Sequence, residues 1–153
     1  MRTILFICTG NTCRSPMAEA IGRHILEAGG VDAVSERVFV ASAGVAATDG
    51  LPVSTEAIEA LKRLGIHHDG RSKRLTAAMI QKADLVLGMT AGHVASARAL
   101  VAGEPDQVAK IRPMADRVDI EDPIGLGRVA YDRLAKRLMD LMPMRISEML
   151  RPS

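Results

Sequence analysis

The chain has 153 residues, 48% of them apolar and 25% charged, which fits one globular domain over residues 1–153 with a real core and excludes a disordered chain. Its 20 basic and 18 acidic side chains nearly cancel and alternate along the sequence, so no nucleic-acid partner is expected. The aromatic residues are only Phe6, Phe39 and Tyr131, which disfavours recognition by stacking on aromatic platforms.

In chain order, the apolar run Thr3 to Cys8 predicts a strand buried on both faces. Ser15 as N-cap and Pro16 as first helical residue predict a helix ending near Gly29-Gly30. A second strand follows over Val38 to Ser42, then a helix from about Ser54 to Leu64, stopped by Gly65. A short helix from Thr76 leads into a third strand, Asp84 to Met89, and Thr90 caps a helix to about Ala102. A fourth strand is expected over Ala109 to Met114, and a last helix from near Gly127 to the end, broken or kinked at Pro143, with Met139, Met142, Met144 and Met149 as core filler. This alternation predicts an α/β three-layer fold, a four-stranded parallel sheet flanked by helices, with ligands beyond the carboxyl ends of the strands. No apolar run reaches the ~18 residues that span a bilayer, and Thr9-Gly10-Asn11 interrupts the first apolar run where a signal peptide would continue. A cytoplasmic protein without a membrane partner is expected.

The loop after the first strand reads Cys8-Thr9-Gly10-Asn11-Thr12-Cys13-Arg14-Ser15-Pro16. A loop whose backbone N–H groups converge on an anion needs unusual dihedrals, which Gly10 and Asn11 tolerate best. The positive end of the following helix adds to such a nest, and the Arg14 guanidinium can fork two hydrogen bonds to a phosphate. The floor of that positive cup suits an anionic sulfur, so Cys8 is the expected nucleophile of a covalent thiophosphate mechanism. Ser15 is placed to donate to the thiolate. The bland alternative is a buried cysteine before a Gly-Asn turn and a capping serine. Cys8 and Cys13, five positions apart, form neither a zinc pattern nor a disulfide scaffold and read as reactive or redox-coupled thiols.

Such a mechanism needs an acid for the leaving group and a base for water. Asp122, fixed by Pro123 in the loop after the last strand, is the candidate, with Asp119 and Glu121 as neighbouring, more solvated competitors.

With these residues in place, the sequence resembles the low-molecular-weight protein tyrosine phosphatase superfamily. Cys8 to Pro16 is similar to its phosphate loop, Asp122-Pro123 to its acid loop, and the likeness extends through Ser42-Ala43-Gly44 and Ala83 to Thr90. The resemblance implies Cys8 as nucleophile, Arg14 as phosphate ligand and Asp122 as acid and base. It implies that Asn11 and Ser15 order the loop whose residues Thr9, Gly10, Asn11, Thr12, Cys13 and Ser15 bind substrate. Cys13 resembles the second cysteine that forms a reversible disulfide with the first. No metal and no cofactor are implied. The implied partners are phosphorylated protein substrates, with inorganic phosphate as product, and the chain is expected to be a monomer.

Thr12 resembles the bacterial protein-arginine phosphatases, as does Leu87-Gly88-Met89-Thr90, where tyrosine phosphatases of the family carry an aliphatic residue in place of the threonine. Ile124 stands after Asp-Pro, where those arginine phosphatases often carry Phe. Phosphoarginine is therefore the favoured substrate, with phosphotyrosine the alternative. An arsenate reductase would need further cysteines after Cys13, and there are none. A non-catalytic anion-binding or thiol-sensing module would have no use for Asp122.

The remaining signals are bland. Arg71-Ser72-Lys73-Arg74 and His67-His68-Asp69 read as solvated loops, and His24 and His93 lie in helices without an evident partner. Gly125 to Ala130 has dinucleotide-loop spacing but lacks the buried strand before it.

Overall fold

The first apolar run forms β1 (Arg2–Cys8), and its side chains alternate between two cores. Ile4, Phe6 and Cys8 enter one and Leu5 and Ile7 the other, all buried. Each such aliphatic or aromatic burial contributes roughly 1.5–3 kcal/mol relative to exposure. A one-residue slip would exchange the two sets, so the register is specified from both faces.

The computed structural model describes residues 2–29 and 37–150. After β1 come α1 (Arg14–Glu27), β2 (Val38–Gly44), α2 (Thr55–Arg63), α3 (Ala77–Lys82), β3 (Leu85–Gly88), α4 (Ala91–Leu100), α5 (Pro105–Val108), β4 (Ile111–Pro113) and α6 (Arg128–Leu150). The four strands pair in parallel in the order β2-β1-β3-β4. Helices α1, α2 and α6 pack together on one face, and α3 and α4 cover the other. The expected three-layer α/β fold is the observed one. Because the chain passes from β1 outward to β2 and then back to β3, the order reverses beside β1, and the crevice beyond the carboxyl ends of β1 and β3 is the ligand position that this topology favours.

Thr90 caps α4 as expected, and Ser54 and Thr76, where helices were expected to begin, cap α2 and α3, each of the three accepting from a backbone N–H three residues on. The expectation that Ser15 caps α1 is corrected. The helix starts at Arg14, with Cys13 as a cap that makes no side-chain bond, because the Ser15 hydroxyl is engaged with Cys8 and Asn11 instead. Of the break or kink expected at Pro143, the break is corrected: α6 runs through it, with Pro143 exposed, where a lost backbone donor costs least. Of the methionines there, Met142 is buried and Met139 packs against the core, but Met144 is exposed and is not core filler. The side chain of Met149, and Gly30 at the expected end of the first helix, lie outside the described residues. The single-turn α5, begun by Pro105, is a further element that the strand-helix pattern did not signal.

Candidate active site

Cys8 closes β1 and Ser15 opens α1, and the loop between them returns on itself, so that Cys8 Sγ lies 2.9 Å from Ser15 Oγ. Among the described residues, no backbone N–H of residues 10–15 donates to a protein acceptor. A run of unpaired donors in a segment where most backbone groups are paired is the signature of an anion nest. Asn11 makes the turn possible with φ 57°, a left-handed conformation that asparagine adopts more readily than most residues. Gly44 makes it possible from the neighbouring strand. A Cβ there would stand 2.5 Å from the Thr9 carbonyl oxygen and 2.9 Å from the Asn11 nitrogen, so any side chain at that position would push the loop off β2.

Beneath the loop runs a directed chain of hydrogen bonds. Asn11 Nδ2 donates to Ser15 Oγ at 2.8 Å and to Ser42 Oγ at 3.0 Å, and Ser42 Oγ donates to Glu19 Oε1 at 2.9 Å. Ser15 Oγ accepts from Asn11, and its own hydrogen faces two acceptors, the Ala43 carbonyl at 3.4 Å and, nearer, Cys8 Sγ at 2.9 Å when the sulfur is a thiolate. The amide oxygen of Asn11 accepts from the Lys73 N–H at 2.9 Å, which fixes the orientation of the amide. Glu19 is buried and takes Arg23 Nη2 at 2.6 Å, with His68 Nε2 at 3.8 Å.

His68 is therefore not the solvated loop residue expected. It is buried beside Glu19 and Arg23, and burial lowers its pKa, while His67 next to it is exposed. The neighbouring basic segment is likewise built in at one point: Arg71, Lys73 and Arg74 are exposed as expected, but Ser72 is buried, with its hydroxyl bound to the Thr48 carbonyl and the Leu51 N–H. Neither link has a sequence signal, because each joins residues far apart in the chain.

Arg14 is buried, and Nη1 donates to the Ile120 carbonyl at 3.0 Å, while Nη2 stands 3.7 Å from Asp122 Oδ2. The carboxylate of Asp122 is about half exposed and accepts the Ile124 N–H at 3.1 Å, an Asx turn that holds it at the loop's lip. Of its sequence neighbours, Asp119 accepts the Ala91 N–H at the start of α4, and Glu121 is exposed. Asp122 and Pro123 also line a surface cavity of about 410 Å³ shared with Leu126, Val129 and Arg133. Cys13 is buried as a free thiol, 3.3 Å from Ser54 Oγ and 3.4 Å from the Tyr131 hydroxyl, which burial and Cys13 hold above the usual phenol range. Thr12 is partly exposed, and its hydroxyl has no partner among the described residues. The structure thus brings all the sequence-predicted residues to one site.

His93 was missed by sequence reasoning. It lies in the first turn of α4, where Nδ1 accepts the Thr90 N–H at 3.1 Å, and Nε2 meets Thr9 Oγ1 at 2.8 Å. The signal available was Thr-x-x-His in the position of a capping box. Burial first, and the Arg14 charge second, lower its pKa from 6.5 to about 4. A histidine that folding keeps neutral makes the unfolded chain the better proton acceptor between those two values, so stability present above pH 6.5 is lost as pH falls toward 4. Replacing His93 with glutamine should flatten the stability loss between pH 7 and 5 by up to about 1.4 kcal/mol per pH unit. Urea unfolding of both proteins at each pH checks this, and equal slopes would contradict it.

Among the described residues, no helix is long and apolar enough to cross a membrane, and no group of three or more His, Cys, Asp or Glu is arranged to hold a metal ion.

The family model described as low molecular weight phosphotyrosine protein phosphatase matches residues 3–149. The chain is 36% identical over 143 residues to a protein-arginine-phosphatase of Bacillus subtilis, covering 91% of each chain. It is 33% identical over 133 residues to a probable low molecular weight protein-tyrosine-phosphatase, EpsP, of Ralstonia solanacearum, covering 86% of this chain and 85% of that one. Among solved structures, a mutant YwlE arginine phosphatase with a phosphorylated active site serine superposes with a TM-score of 0.84 at 32% identity, covering 96% of this chain and 95% of the other.

Proposed function

Since the chain belongs to the low molecular weight phosphotyrosine protein phosphatase family, we propose that this cysteine-based protein phosphatase acts through Cys8 on phosphoarginine side chains of proteins. The phosphate enters the nest of residues 10–15 and takes Arg14 as its forked partner. The Cys8 thiolate attacks phosphorus, an S–P bond forms, and the P–N bond breaks as Asp122 delivers a proton to the leaving guanidine nitrogen. Asp122, now a carboxylate, takes a proton from water as that water attacks phosphorus. The S–P bond breaks, the electron pair returns to sulfur, and inorganic phosphate leaves. Ser15, donating to Cys8 Sγ at 2.9 Å, stabilises the sulfur as thiolate at both ends of this sequence.

Preference for phosphoarginine rests on the unpartnered Thr12 hydroxyl at the rim. A guanidinium retains N–H donors around the phosphorylated nitrogen, and a small hydroxyl can accept from them where an aliphatic side chain cannot. The rim also lacks an aromatic wall. Phe6 is buried in β1, Tyr131 is buried against Cys13, and Phe39 pairs with Thr3 at the opposite end of the sheet from Cys8. Phosphotyrosine is the second reading, favoured by the aliphatic residues Ile124 and Leu126, which are exposed beside Asp122 and would pack on a phenyl ring.

The test is the ratio of kcat/KM on phosphoarginine and phosphotyrosine peptides, for the wild type and Thr12→Ile. The wild type should favour phosphoarginine, and Thr12→Ile should lower the ratio by about tenfold or more. A wild type that favours phosphotyrosine, or a ratio unmoved by the substitution, would overturn the reading.

A further inference from the structure

We propose that His93 holds the Thr9 hydroxyl as a hydrogen-bond donor to the phosphoryl oxygens of bound substrate, making Thr9 a substrate-contacting group and His93 its positioning residue. The inference rests on the phosphate site described above and adds two side chains to it. Thr9 directly follows the nucleophile and is exposed, and its backbone is anchored because its carbonyl accepts the Ala46 N–H at 3.0 Å. Its hydroxyl has one partner among the described residues, His93 Nε2 at 2.8 Å. That bond crosses the crevice between the carboxyl ends of β1 and β3, where the strand order reverses.

The direction of the bond follows from the other ring nitrogen. Nδ1 accepts the Thr90 N–H at 3.1 Å as part of the capping box of α4, so it carries no proton. The single ring proton is then on Nε2 and is donated to Thr9 Oγ1. A hydroxyl that accepts from histidine keeps its own hydrogen for a third group, and a phosphate oxygen in the adjoining nest is the acceptor within the site. The ring is held close by Gly88, where a Cβ would stand 2.9 Å from Val94 Cγ2 and 3.3 Å from the Cβ of His93. Only a residue without a side chain lets α4 approach β3 this closely. His93 thus imposes on Thr9 the donor role that an oxyanion needs and that a freely rotating hydroxyl would hold only part of the time.

The test combines calorimetric binding of inorganic phosphate with kcat and KM on p-nitrophenyl phosphate, for wild type, Thr9→Val, His93→Ala, the double variant and His93→Gln. Thr9→Val and His93→Ala should each weaken phosphate binding and lower kcat/KM about tenfold, the loss of one hydrogen bond to a charged group. The double variant should be no more than about twofold worse than either single one. In His93→Gln the amide oxygen can accept from Thr90 and the amide nitrogen can donate to Thr9, so the loss should stay within about threefold. Losses that multiply in the double variant, or a His93→Ala protein that melts earlier yet binds phosphate as the wild type does, would overturn the proposal. Phosphate binding that depends on Thr9 and His93 in a protein inactive on phosphopeptides would uphold it while refuting the phosphatase reading.

Discussion

Cys8→Ser should abolish hydrolysis of p-nitrophenyl phosphate and of phosphopeptides, with a loss on the order of 10⁴-fold or more, while the protein keeps its unfolding midpoint and still binds inorganic phosphate. The nucleophile is lost because a hydroxyl needs an adjacent base to attack. The side chain that touches Sγ, Ser15 at 2.9 Å, is a donor toward sulfur and not a base. Binding should survive because the proposed anion ligands, the backbone N–H groups of residues 10–15 and Arg14, are not changed by the substitution. The fold survives because Cys8, though buried, is replaced by a side chain of nearly the same shape. Retained turnover would place the nucleophile elsewhere.

Asp122→Ala should lower kcat/KM, which reports the step in which the leaving group departs, by roughly 10²–10⁴-fold on phosphoarginine and phosphotyrosine peptides, and far less on p-nitrophenyl phosphate. The leaving groups decide this. A guanidine, with a conjugate-acid pKa above ~12, cannot depart unprotonated, a phenol near ~10 departs poorly, and an activated nitrophenol departs without help. Asp119→Ala and Glu121→Ala are the comparisons. Asp119 is bound to the Ala91 N–H, and Glu121 makes no described contact with Arg14, so neither should reproduce the leaving-group dependence. An equal loss on activated and unactivated substrates would point to another acid.

The elements and the phosphate loop are legible in the sequence because their causes are local. An apolar run with a Gly-Asn turn after it, a serine or threonine before a helix, and the Asp-Pro pair all act within a few residues. The start of α1 was misread for a physical reason. Ser15 followed by proline has the form of a cap, but its hydroxyl has a better partner in Cys8, which is close only once the loop has closed. His68, Glu19 and His93 were missed for the same reason. Their partners lie 49, 23 and 84 residues away, and no periodicity reports such separations. At Pro143 the expected break does not occur, since the buried Met142 and Ile146 near it hold this stretch of α6 against the core.

The chemistry at Cys8 is tested most directly by trapping the covalent intermediate. Asp122→Ala protein is mixed with p-nitrophenyl phosphate, whose leaving group departs without the acid while the base for the second step is missing, then quenched within a turnover, digested and mapped by mass spectrometry. The account predicts one phosphoryl group on the peptide containing Cys8, absent from the Cys8→Ser/Asp122→Ala protein treated in the same way. Substrate consumed with no phosphoryl group on Cys8, or a phosphoryl group on a different residue, would contradict it.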